Sequence, residues 1–579
     1  MDITLTANVS TIPTYSRYEA VALVNDAMHG NPFVDGRLSA TVTTPSGERW
    51  DIDGFCDSPD GSEYRVRVMP TDPGEYRVAV RFESTAGGES GSAPAGTRGR
   101  MYSPGPATVV HQEELRFTAT GRDHPGIVQV DPEYPDHFRY SQSGDHYFWN
   151  GTTAYYLMGW KDDRIIEQSL SRLASKNVNR VRVLLYGRQY DHPWGQPIVQ
   201  TDGFTMCLNP WPARYPDDPT LPEFDLSRFN IHYWRNYERM LEAAERHGIQ
   251  VSVCFFIGGQ QLAVPFAMWS EDEYRYYRYA LARLAAYPNV TWDLGNEHDF
   301  HRDNRFWVHA IGGEIRRHDP YGHICGVHNK PYYDRAGGAL TVQLHQKWDA
   351  GLAPELAEAR ERQREAGRAI PQVIEEYGYE DLWEQFPGQR SADTRRRVCW
   401  EVAMAGCYQT NGESARSGVG VGPDTGGGWI SGRGDADMTM FDAVAHLVDF
   451  FTGFAWWRTR PDSDAILSYE PGRSDAGEYW YRDGRPATDL PAQALTGPDA
   501  CVVYLPYGGR ARVRLPSHDQ LHPAAGSGVS GDWTALACDP RTGTRTHLGQ
   551  IDTASWVTPW TDGPDDVAYL LRRSNEDVR

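Results

Sequence analysis

The chain has 579 residues, of which 40% are hydrophobic, 12% aromatic and 23% charged. This composition supplies large packed cores, so it excludes a disordered, coiled-coil or collagen-like protein, and the length predicts about three or four domains. The net charge of -21 argues against a nucleic-acid partner, because an acidic surface repels phosphate groups.

The sequence contains no recognisable targeting or membrane segment. No apolar run approaches the ~18 residues of a membrane helix, and the first residues lack the basic start and apolar stretch of a signal peptide. We therefore expect a cytoplasmic protein without a membrane partner. The eight cysteines are scattered and form no CxxC pair, which favours buried thiols over a disulfide framework or a zinc site.

The N-terminal region alternates short β-type runs with turns. Such runs lie at residues 38–43, 64–69 and 76–82, and they are separated by segments that contain Pro-Ser-Gly and Asp-Pro-Gly turns. Short strands about ten residues apart indicate an antiparallel β-sandwich, which we assign to residues 1–105. We expect residues 106–125 to form the linker that follows it.

From about residue 150 onward, apolar β-runs alternate with amphipathic helices. The β-runs lie at residues 147–159, 179–186, 250–257, 289–294, 324–327, 340–344, 372–374 and 407–410. The helical patterns lie at residues 165–176, 231–247, 271–286, 305–318, 354–367, 394–405 and 440–451. Apolar strands followed by helices indicate a parallel sheet covered by helices, and eight such strands favour a (β/α)8 TIM barrel over a doubly wound sheet. We assign the barrel to residues 126–460.

After residue 460 the pattern becomes antiparallel again. Short β-runs at residues 501–505, 510–515, 533–538 and 568–571 are separated by turn segments such as DPRTGT. They predict a second antiparallel β-sandwich over residues 461–579. The predicted fold class is thus α/β, with a (β/α)8 TIM barrel flanked by an N-terminal and a C-terminal antiparallel β-sandwich.

Barrel enzymes carry their reactive groups at the C-terminal ends of the strands, where the βα loops build one face. The polar residues at these ends include Arg182, Asn296, Glu297, His328, His345, Gln346, Glu375, Glu376 and Glu413. Carboxylates on different strands, with little competing nucleophilic machinery, indicate acid–base or glycosyl chemistry. Cleavage of an acetal requires a proton donor and a group that stabilises the cationic sugar, and two facing carboxyl groups supply both.

The carboxylates have alternative interpretations. Glu297 alone would fit a helix cap equally well, and a second carboxylate at the seventh strand is what favours catalysis. Glu375 and Glu376 are adjacent, so in an extended strand only one of them should reach the barrel axis. Alternation does not choose between them, because both faces of this strand are predicted to be buried. We interpret Glu413 as a salt-bridge partner rather than a second acid.

The segments TWDLGNEHD on the fourth strand and IPQVIEEYGYE on the seventh resemble the large GH-A-like clan of retaining (β/α)8 glycoside hydrolases. In that clan an Asn-Glu pair ends strand four and a Glu-aromatic-Gly triplet ends strand seven. The resemblance implies that Glu297 is the general acid/base, Glu376 the nucleophile and Asn296 a ligand of the sugar 2-hydroxyl. Arg182 occupies the position of the clan's second-strand arginine.

The N-terminal segment at residues 31–55, with the pattern NPFVDG…PSG…GF, resembles the β-sandwich that precedes such barrels in bacterial apiosidase-like glycosidases. The stretch AAYPNVTWDLGNEHDF and the closing DPRTG sandwich are similar to theirs as well. The resemblance therefore covers nearly the whole chain in outline, although only the two Glu motifs are specific.

Two histidines near Glu297 suggest a metal site at first sight. His298 and His301 are three residues apart on a predicted loop, and no HExxH motif is present. A solvated or hydrogen-bonded role is therefore favoured over a metal ligand, and we predict neither a metal nor a cofactor.

Further binding residues are suggested by position alone. His328 and His345 follow strands five and six, where they would either contact sugar hydroxyls or serve the fold. Trp160 and Trp429 follow strands one and eight and are candidate stacking platforms, since the apolar faces of sugars pack on aromatic rings.

These observations predict a retaining, exo-acting glycoside hydrolase that acts on oligosaccharides or glycosides without a cofactor. The resemblance implies β-glycosides or the stereochemically equivalent α-L-arabinofuranosides as substrates. An inverting glycosidase or a transglycosylase is an alternative within the enzyme class. The alternative outside it is a non-catalytic carbohydrate-binding or scaffold protein with a decayed barrel. The sequence leaves homo-oligomer formation open.

Overall fold

The buried apolar side chains form three large clusters, centred on the N-terminal region, the central region and the C-terminal region. The computed structural model describes residues 2–25, 30–85, 107–188, 203–258, 264–328, 338–347, 352–377, 379–380, 389–390, 392–412, 428–433, 439–472, 490–516, 533–551, 553–562 and 565–573. Within these residues the architecture is the predicted one, a parallel α/β barrel with antiparallel sheets on either side of it in the chain, apart from the short strand Thr11–Pro13, which pairs in parallel.

The N-terminal sandwich consists of two sheets. The first contains, in spatial order, Ile3–Ala7, Tyr18–Val24, Glu63–Val68 and Phe55–Cys56. The second contains Thr11–Pro13, Thr108–Thr120, Gly74–Ser84, Gly36–Thr43 and Arg49–Asp53. Buried and more exposed residues alternate along the central strands, so that each sheet turns its apolar face toward a shared core.

The predicted linker over residues 106–125 instead contains a long strand of this sandwich. Strand Thr108–Thr120 pairs antiparallel with Gly74–Ser84 along almost its whole length. Its only fully buried side chains are Phe117 and Ala119, because the rest of the strand lies at the more exposed end of the sheet. The strand therefore lacks the apolar alternation by which strands are recognised in a sequence.

The barrel contains eight parallel strands in the order β5-β4-β3-β2-β1-β8-β7-β6. Their bounds are β1 Asn150–Thr153, β2 Arg180–Leu184, β3 Gln250–Cys254, β4 Val290–Asp293, β5 Cys325–Gly326, β6 Gln343–Gln346, β7 Gln372–Glu376 and β8 Tyr408–Asn411. Between β5 and β6 the Thr341 N–H donates to the Cys325 carbonyl at 2.8 Å, which nearly closes the barrel. Every residue of β2, β3 and β4 is buried, as expected for strands between a packed interior and a helical layer.

Seven long helices are described in and after the barrel. Their bounds are α1 Asp163–Ser175, α2 Ile231–Arg246, α3 Glu271–Leu284, α4 Arg305–His318, α5 Leu352–Glu365, α6 Ala392–Met404 and α7 Met440–Phe451. The side chains of Asp162, Asn230, Ser270 and Asn304 cap the first four by accepting bonds from first-turn backbone N–H groups. None of the described helices is long and apolar enough to span a membrane.

Short strands and short helices lie between these larger elements. Three short strands, Val128–Val130, Phe138–Tyr140 and His146–Tyr147, lead from the N-terminal sandwich into β1. Short helices lie at Pro32–Asp35, Leu157–Gly159, Asp299–Arg302, Gly428–Ser431, Trp456–Arg458 and Ser463–Ala465. Two-residue strands pair at Tyr379–Glu380 and Gln389–Arg390. All eight cysteines are buried and unpaired, as the scattered pattern predicts.

The C-terminal sandwich also has two sheets. The larger contains, in spatial order, Arg460–Pro461, Gln493–Thr496, Ala500–Leu505, Val567–Arg573, Trp533–Cys538 and Arg545–Ile551. The smaller contains Ile466–Glu470, Arg510–Arg514 and Ser555–Val557. Both sheets bury Val503, Val513 and Trp533 between them.

Buried ion pairs fasten both sandwiches to the barrel. On the N-terminal side, Arg67 lies 2.7 Å from Glu238 of α2, and Arg283 of α3 lies 2.7 Å from Asp57. On the C-terminal side, Arg396 of α6 lies 2.7 Å from Asp566. Removing one partner of such a pair leaves an uncompensated buried charge, so these contacts resist separation of the domains.

Candidate active site

Glu297 and Glu376 lie at the C-terminal ends of β4 and β7, and both carboxyl groups accept hydrogen bonds from the Gln346 side chain. Gln346, the last residue of β6, donates from Nε2 to Glu297 Oε1 at 2.9 Å and to Glu376 Oε1 at 3.2 Å. Because both bonds share one nitrogen, the two oxygens lie no more than about 6 Å apart. The fold therefore brings the two predicted catalytic carboxyl groups together at the face of the barrel where reactive groups are expected.

The backbone turns sharply at Glu297, which has a φ of 47°. This left-handed conformation is unfavourable for a side chain larger than glycine and persists only when the surroundings enforce it. Here the Glu297 N–H donates to His328 Nδ1 at 3.3 Å, and both the N–H and the Nδ1 of His298 donate to the His328 carbonyl, at 3.0 and 2.8 Å. Three bonds to one histidine thus fix the turn that presents the Glu297 carboxyl group.

The protonation state of the His328 ring follows from its surroundings. Burial lowers the pKa of its ring well below the usual value, with a further contribution from the Arg182 charge. The ring is therefore neutral, and because Nδ1 accepts from Glu297, Nε2 carries the hydrogen. Nε2 is buried and makes no hydrogen bond of good geometry among the described residues, although the His345 backbone lies close enough to oppose the lowering of the pKa.

Asn296 and Arg182 form the floor of the site. The fully buried Arg182 reaches from β2, donates to Asn296 Oδ1 and also donates to the Glu375 carbonyl at 3.1 Å. The bond from Arg182 orients the Asn296 amide, since its oxygen is the acceptor. Asn296 Nδ2 is buried without a hydrogen-bond partner among the described residues, so it is a donor available to a bound molecule.

Glu375 and Glu376 have different partners. The Glu375 carboxylate is fully buried and lies 2.9 Å from Arg180 Nη1 and 3.3 Å from Arg182 Nε. Glu376 contacts Gln346, and its Oε2 lies 3.9 Å from Arg182 Nη1. Glu375 thus neutralises charge inside the barrel, whereas Glu376 faces Glu297.

The expectation that only one of these two glutamates reaches the barrel interior does not hold. The pairing of β6 with β7 shifts in register, so that His345 opposes Ile374 but Gln346 opposes Glu376. Two residues of β7 therefore span one step of β6, as in a β-bulge, and the strict alternation of side chains is interrupted. This irregularity lets Glu375 and Glu376 both approach Arg182.

Burial and the neighbouring Glu297 carboxylate raise the pKa of Glu376 to about 8. The Arg182 charge and the hydrogen bonds from Gln346 and the Tyr155 hydroxyl, 3.4 Å from Oε2, act in the opposite direction. Two carboxyl groups this close resist simultaneous ionisation. At neutral pH the pair therefore retains one proton, and the apparent pKa values describe the two coupled groups together.

Asp293 is a further buried acid near the pair. Burial, with a contribution from Glu375, raises the pKa of Asp293 to about 6, although Arg182 opposes the shift. Asp293 Oδ1 accepts from the Gly295 N–H at 3.1 Å, just before Asn296 and Glu297. Asp293 thus supports the backbone at the end of β4.

Several predicted or neighbouring residues lie elsewhere. His345 Nε2 lies 2.8 Å from Gln372 Oε1, so the ring is directed to the start of β7 while Gln346 occupies the site. Trp160 is 5% exposed, packs on Phe204 with ring centroids 4.7 Å apart and donates to the Ser431 carbonyl at 2.8 Å. Its ring therefore has no open face, unlike the platform predicted for it. The side chain of Trp429 and all of Glu413 lie outside the described residues.

Sequence reasoning did not select Gln346 or Tyr155 for the site. Gln346 was one of two polar residues at the end of the sixth strand, and only the register of β6 distinguishes it from His345. Tyr155 lies in a run of buried apolar residues just after β1 and carries no motif. Among the described residues, no cluster of three His, Cys, Asp or Glu side chains is suited to holding a metal ion.

Two protein families match parts of the chain. Residues 136–415 match the family described as "Apiosidase-like, catalytic domain", and this segment contains Asn296, Glu297, Gln346 and Glu376. Residues 11–83, within the N-terminal sandwich, match a domain of unknown function named DUF5060. No curated protein matches the chain significantly.

Solved structures share the architecture. A protein of Bacteroides vulgatus ATCC 8482, provisionally assigned as a glycoside hydrolase, aligns with a TM-score of 0.70 and 20% identity over 97% of this chain and 100% of its own. A glycoside hydrolase family 5 protein from the same organism aligns with a TM-score of 0.56 and 19% identity over 79% of this chain and 95% of its own. At these identities the likeness establishes the fold.

Proposed function

We propose that this chain, a glycosidase whose residues 136–415 match the apiosidase-like catalytic domain, cleaves glycosidic bonds with retention of anomeric configuration. The supporting observation is that Glu297 and Glu376 accept the two N–H groups of Gln346. The N–H bonds of an amide diverge by roughly 120°, so oxygens in line with them lie roughly 5 Å apart. Retaining glycosidases hold their carboxyl groups about 5–5.5 Å apart, whereas inverting enzymes need about 6.5–9.5 Å to admit a water molecule.

The first half of the reaction breaks the glycosidic bond. The ionised Glu376 carboxylate attacks the anomeric carbon and forms an ester bond to it, while the bond from that carbon to the leaving oxygen breaks. Protonated Glu297 gives its proton to the leaving oxygen, which departs as an alcohol. The products of this step are a glycosyl-enzyme ester and a Glu297 carboxylate.

The second half of the reaction restores the enzyme. A water molecule enters the space of the leaving group, and its oxygen attacks the anomeric carbon as the ester bond to Glu376 breaks. The Glu297 carboxylate accepts the proton that the water loses. Two inversions at the same carbon give net retention, and the pair again holds one proton.

The surroundings of each carboxyl group support this division of roles. Glu376 lies near the Arg182 charge and the Tyr155 hydroxyl, which stabilise it as an anion. In the free enzyme its burial favours the protonated form, so the proton has to move to Glu297 when substrate binds. The form with Glu376 ionised and Glu297 protonated is the reactive one, because the Glu376 anion stabilises the positive charge that develops at the anomeric carbon in the transition state.

The substrate is proposed to be the non-reducing end of an oligosaccharide or a simple glycoside, with a β-linkage or an α-L-arabinofuranoside-type linkage. The free donor Asn296 Nδ2 is suited to sugar hydroxyls, which accept hydrogen bonds. A site built to bond a hydroxyl discriminates strongly against analogues that lack it.

A panel of aryl glycosides, assayed with wild type and with Glu376→Gln, tests this proposal. We expect turnover of at least one glycoside by wild type and its loss in the variant, without loss of folding. Glycosyl transfer to added alcohols in preference to water would identify a transglycosylase instead. Binding of oligosaccharides without cleavage of any glycoside would contradict the proposal and support a carbohydrate-binding scaffold.

A further inference from the structure

The side-chain amide of Gln346 lies between the carboxyl groups of Glu297 and Glu376 and bonds to both. Its Nε2 is 2.9 Å from one carboxyl oxygen and 3.2 Å from the other, so a single amide spans the gap between β4 and β7. A carboxyl group and a carboxylate that share one proton form a short O–H···O bond of about 2.5–2.7 Å. That separation is half of what the double displacement requires.

The other charged groups described near the pair lie beside Glu376 and not beside the Glu297 carboxyl group. Arg182 and Tyr155 lie next to Glu376 Oε2, and Glu375 faces Arg182 from below. On the Glu297 side, the neutral His328 ring contacts the backbone N–H. Lys347 follows Gln346 but directs its Nζ to Glu355. Gln346 thus forms hydrogen bonds to both carboxyl groups.

We propose that Gln346 is a positioning residue for the glycosidase reaction, whose amide keeps the two carboxyl groups at their working separation and prevents them from sharing a proton directly. The inference rests on the function proposed above. Gln346 itself takes no part in bond making, since a neutral amide is neither a useful acid nor a nucleophile at these pH values. It acts through the position and protonation of Glu297 and Glu376.

Loss of the amide has a specific consequence. In Gln346→Met the side chain keeps its length but offers no donor, so Glu297 and Glu376 can move together around the shared proton. A proton held by both oxygens is harder to remove, which moves the alkaline limb of the pH profile upward. The displaced carboxyl groups are also poorly aligned with the substrate, and a misplacement of about 1 Å costs roughly 100-fold in rate.

The test measures kcat and KM across pH for wild type, Gln346→Met and Gln346→Glu, together with thermal unfolding across pH in the absence of substrate. Gln343→Met is the matched control, because Gln343 lies on the same strand but bonds with Gln363 instead of the carboxyl pair. For Gln346→Met we expect kcat to fall about 100-fold with KM changed little, and the alkaline limb to rise by about one pH unit. The control should keep the wild-type pH profile.

Gln346→Glu provides a second variant of equal length. When protonated it offers one O–H donor, so its kcat should recover toward wild type at acidic pH and fall steeply as the third carboxyl group ionises. A lower kcat with an unchanged alkaline limb in both variants would overturn the inference and leave Gln346 a packing role. If wild type cleaves no glycoside, the proposed function fails, while the unfolding curves still report whether Gln346 separates the two carboxyl groups.

Discussion

The guanidinium of Arg182 lies 3.9 Å from Oε2 of Glu376, although Arg182 belongs to β2, which is separated from β7 by two other strands. The same side chain donates to Asn296 and contacts the buried Glu375 carboxylate. One cation thus contacts Glu376 (the proposed nucleophile), the Asn296 amide (the proposed sugar ligand) and the buried Glu375 carboxylate.

Arg182→Met should reduce kcat by at least about 100-fold, because it removes the positive charge beside Glu376 and frees the Asn296 amide to rotate. It should also destabilise the fold by about 3–5 kcal/mol, since the Glu375 carboxylate loses one of two buried partners. Urea unfolding and steady-state kinetics measure the two effects separately. Arg182→Lys, which retains the charge, should recover part of both losses, and equal losses in the two variants would contradict the electrostatic role.

Glu297→Ala should affect substrates according to their leaving groups. Alkyl glycosides need a proton on the departing oxygen and should lose about 100- to 10,000-fold in the first step. Dinitrophenyl glycosides need no such proton and should still form the glycosyl-enzyme rapidly. Added azide should restore turnover by attacking the ester from the space that the side chain leaves. Equal losses on both substrate classes, without azide rescue, would mean that Glu297 is not the acid/base.

Stability should depend on pH through Glu376. Its pKa is raised to about 8 in the folded protein, above the value of about 4.5 for an ordinary glutamate. Between these values the folded state holds a proton that the unfolded state has lost, so this group lowers stability as pH rises through that range. Glu376→Gln removes the effect and should stabilise the fold by roughly 1–4 kcal/mol at pH 8 but not at pH 4. Thermal unfolding at both pH values tests this, and an equal change at both would refute the assignment.

The adjacent residue should behave in the opposite way. Glu375→Gln removes the buried carboxylate that contacts both Arg180 and Arg182 and should cost about 3–5 kcal/mol of stability at neutral pH. Two isosteric substitutions at neighbouring positions would thus change stability with opposite signs. Chemical denaturation of the two variants side by side is the measurement. Stabilisation by Glu375→Gln would show that Glu375 has the role assigned to Glu376, and Glu376 the role assigned to Glu375.

The barrel was largely predictable because its strands are buried on both faces and its helices carry one apolar stripe. The fold class and the glycosidase class, both predicted from these patterns and from the two Glu motifs, are confirmed. The motif around Glu297 is readable since it lies at a strand end, where a polar pair interrupts an apolar run. Such signals depend only on residues close together in the chain.

The features that were not predicted depend on residues far apart in the chain. Strand Thr108–Thr120 is polar over most of its length, and only its pairing with Gly74–Ser84 makes it a strand. The choice of Gln346 over His345 follows from the register between β6 and β7, which a single sequence does not reveal. The contacts of Tyr155 with Glu376 likewise form across the barrel.

The stereochemistry of the product distinguishes double displacement from direct attack by water. We would follow hydrolysis of an active aryl glycoside by proton NMR and identify the anomer formed before mutarotation. Attack by Glu376, followed by attack of water on the ester, predicts that the first-formed sugar has the configuration of the substrate. A first-formed sugar of the opposite configuration would contradict double displacement and show that water attacks the glycoside directly.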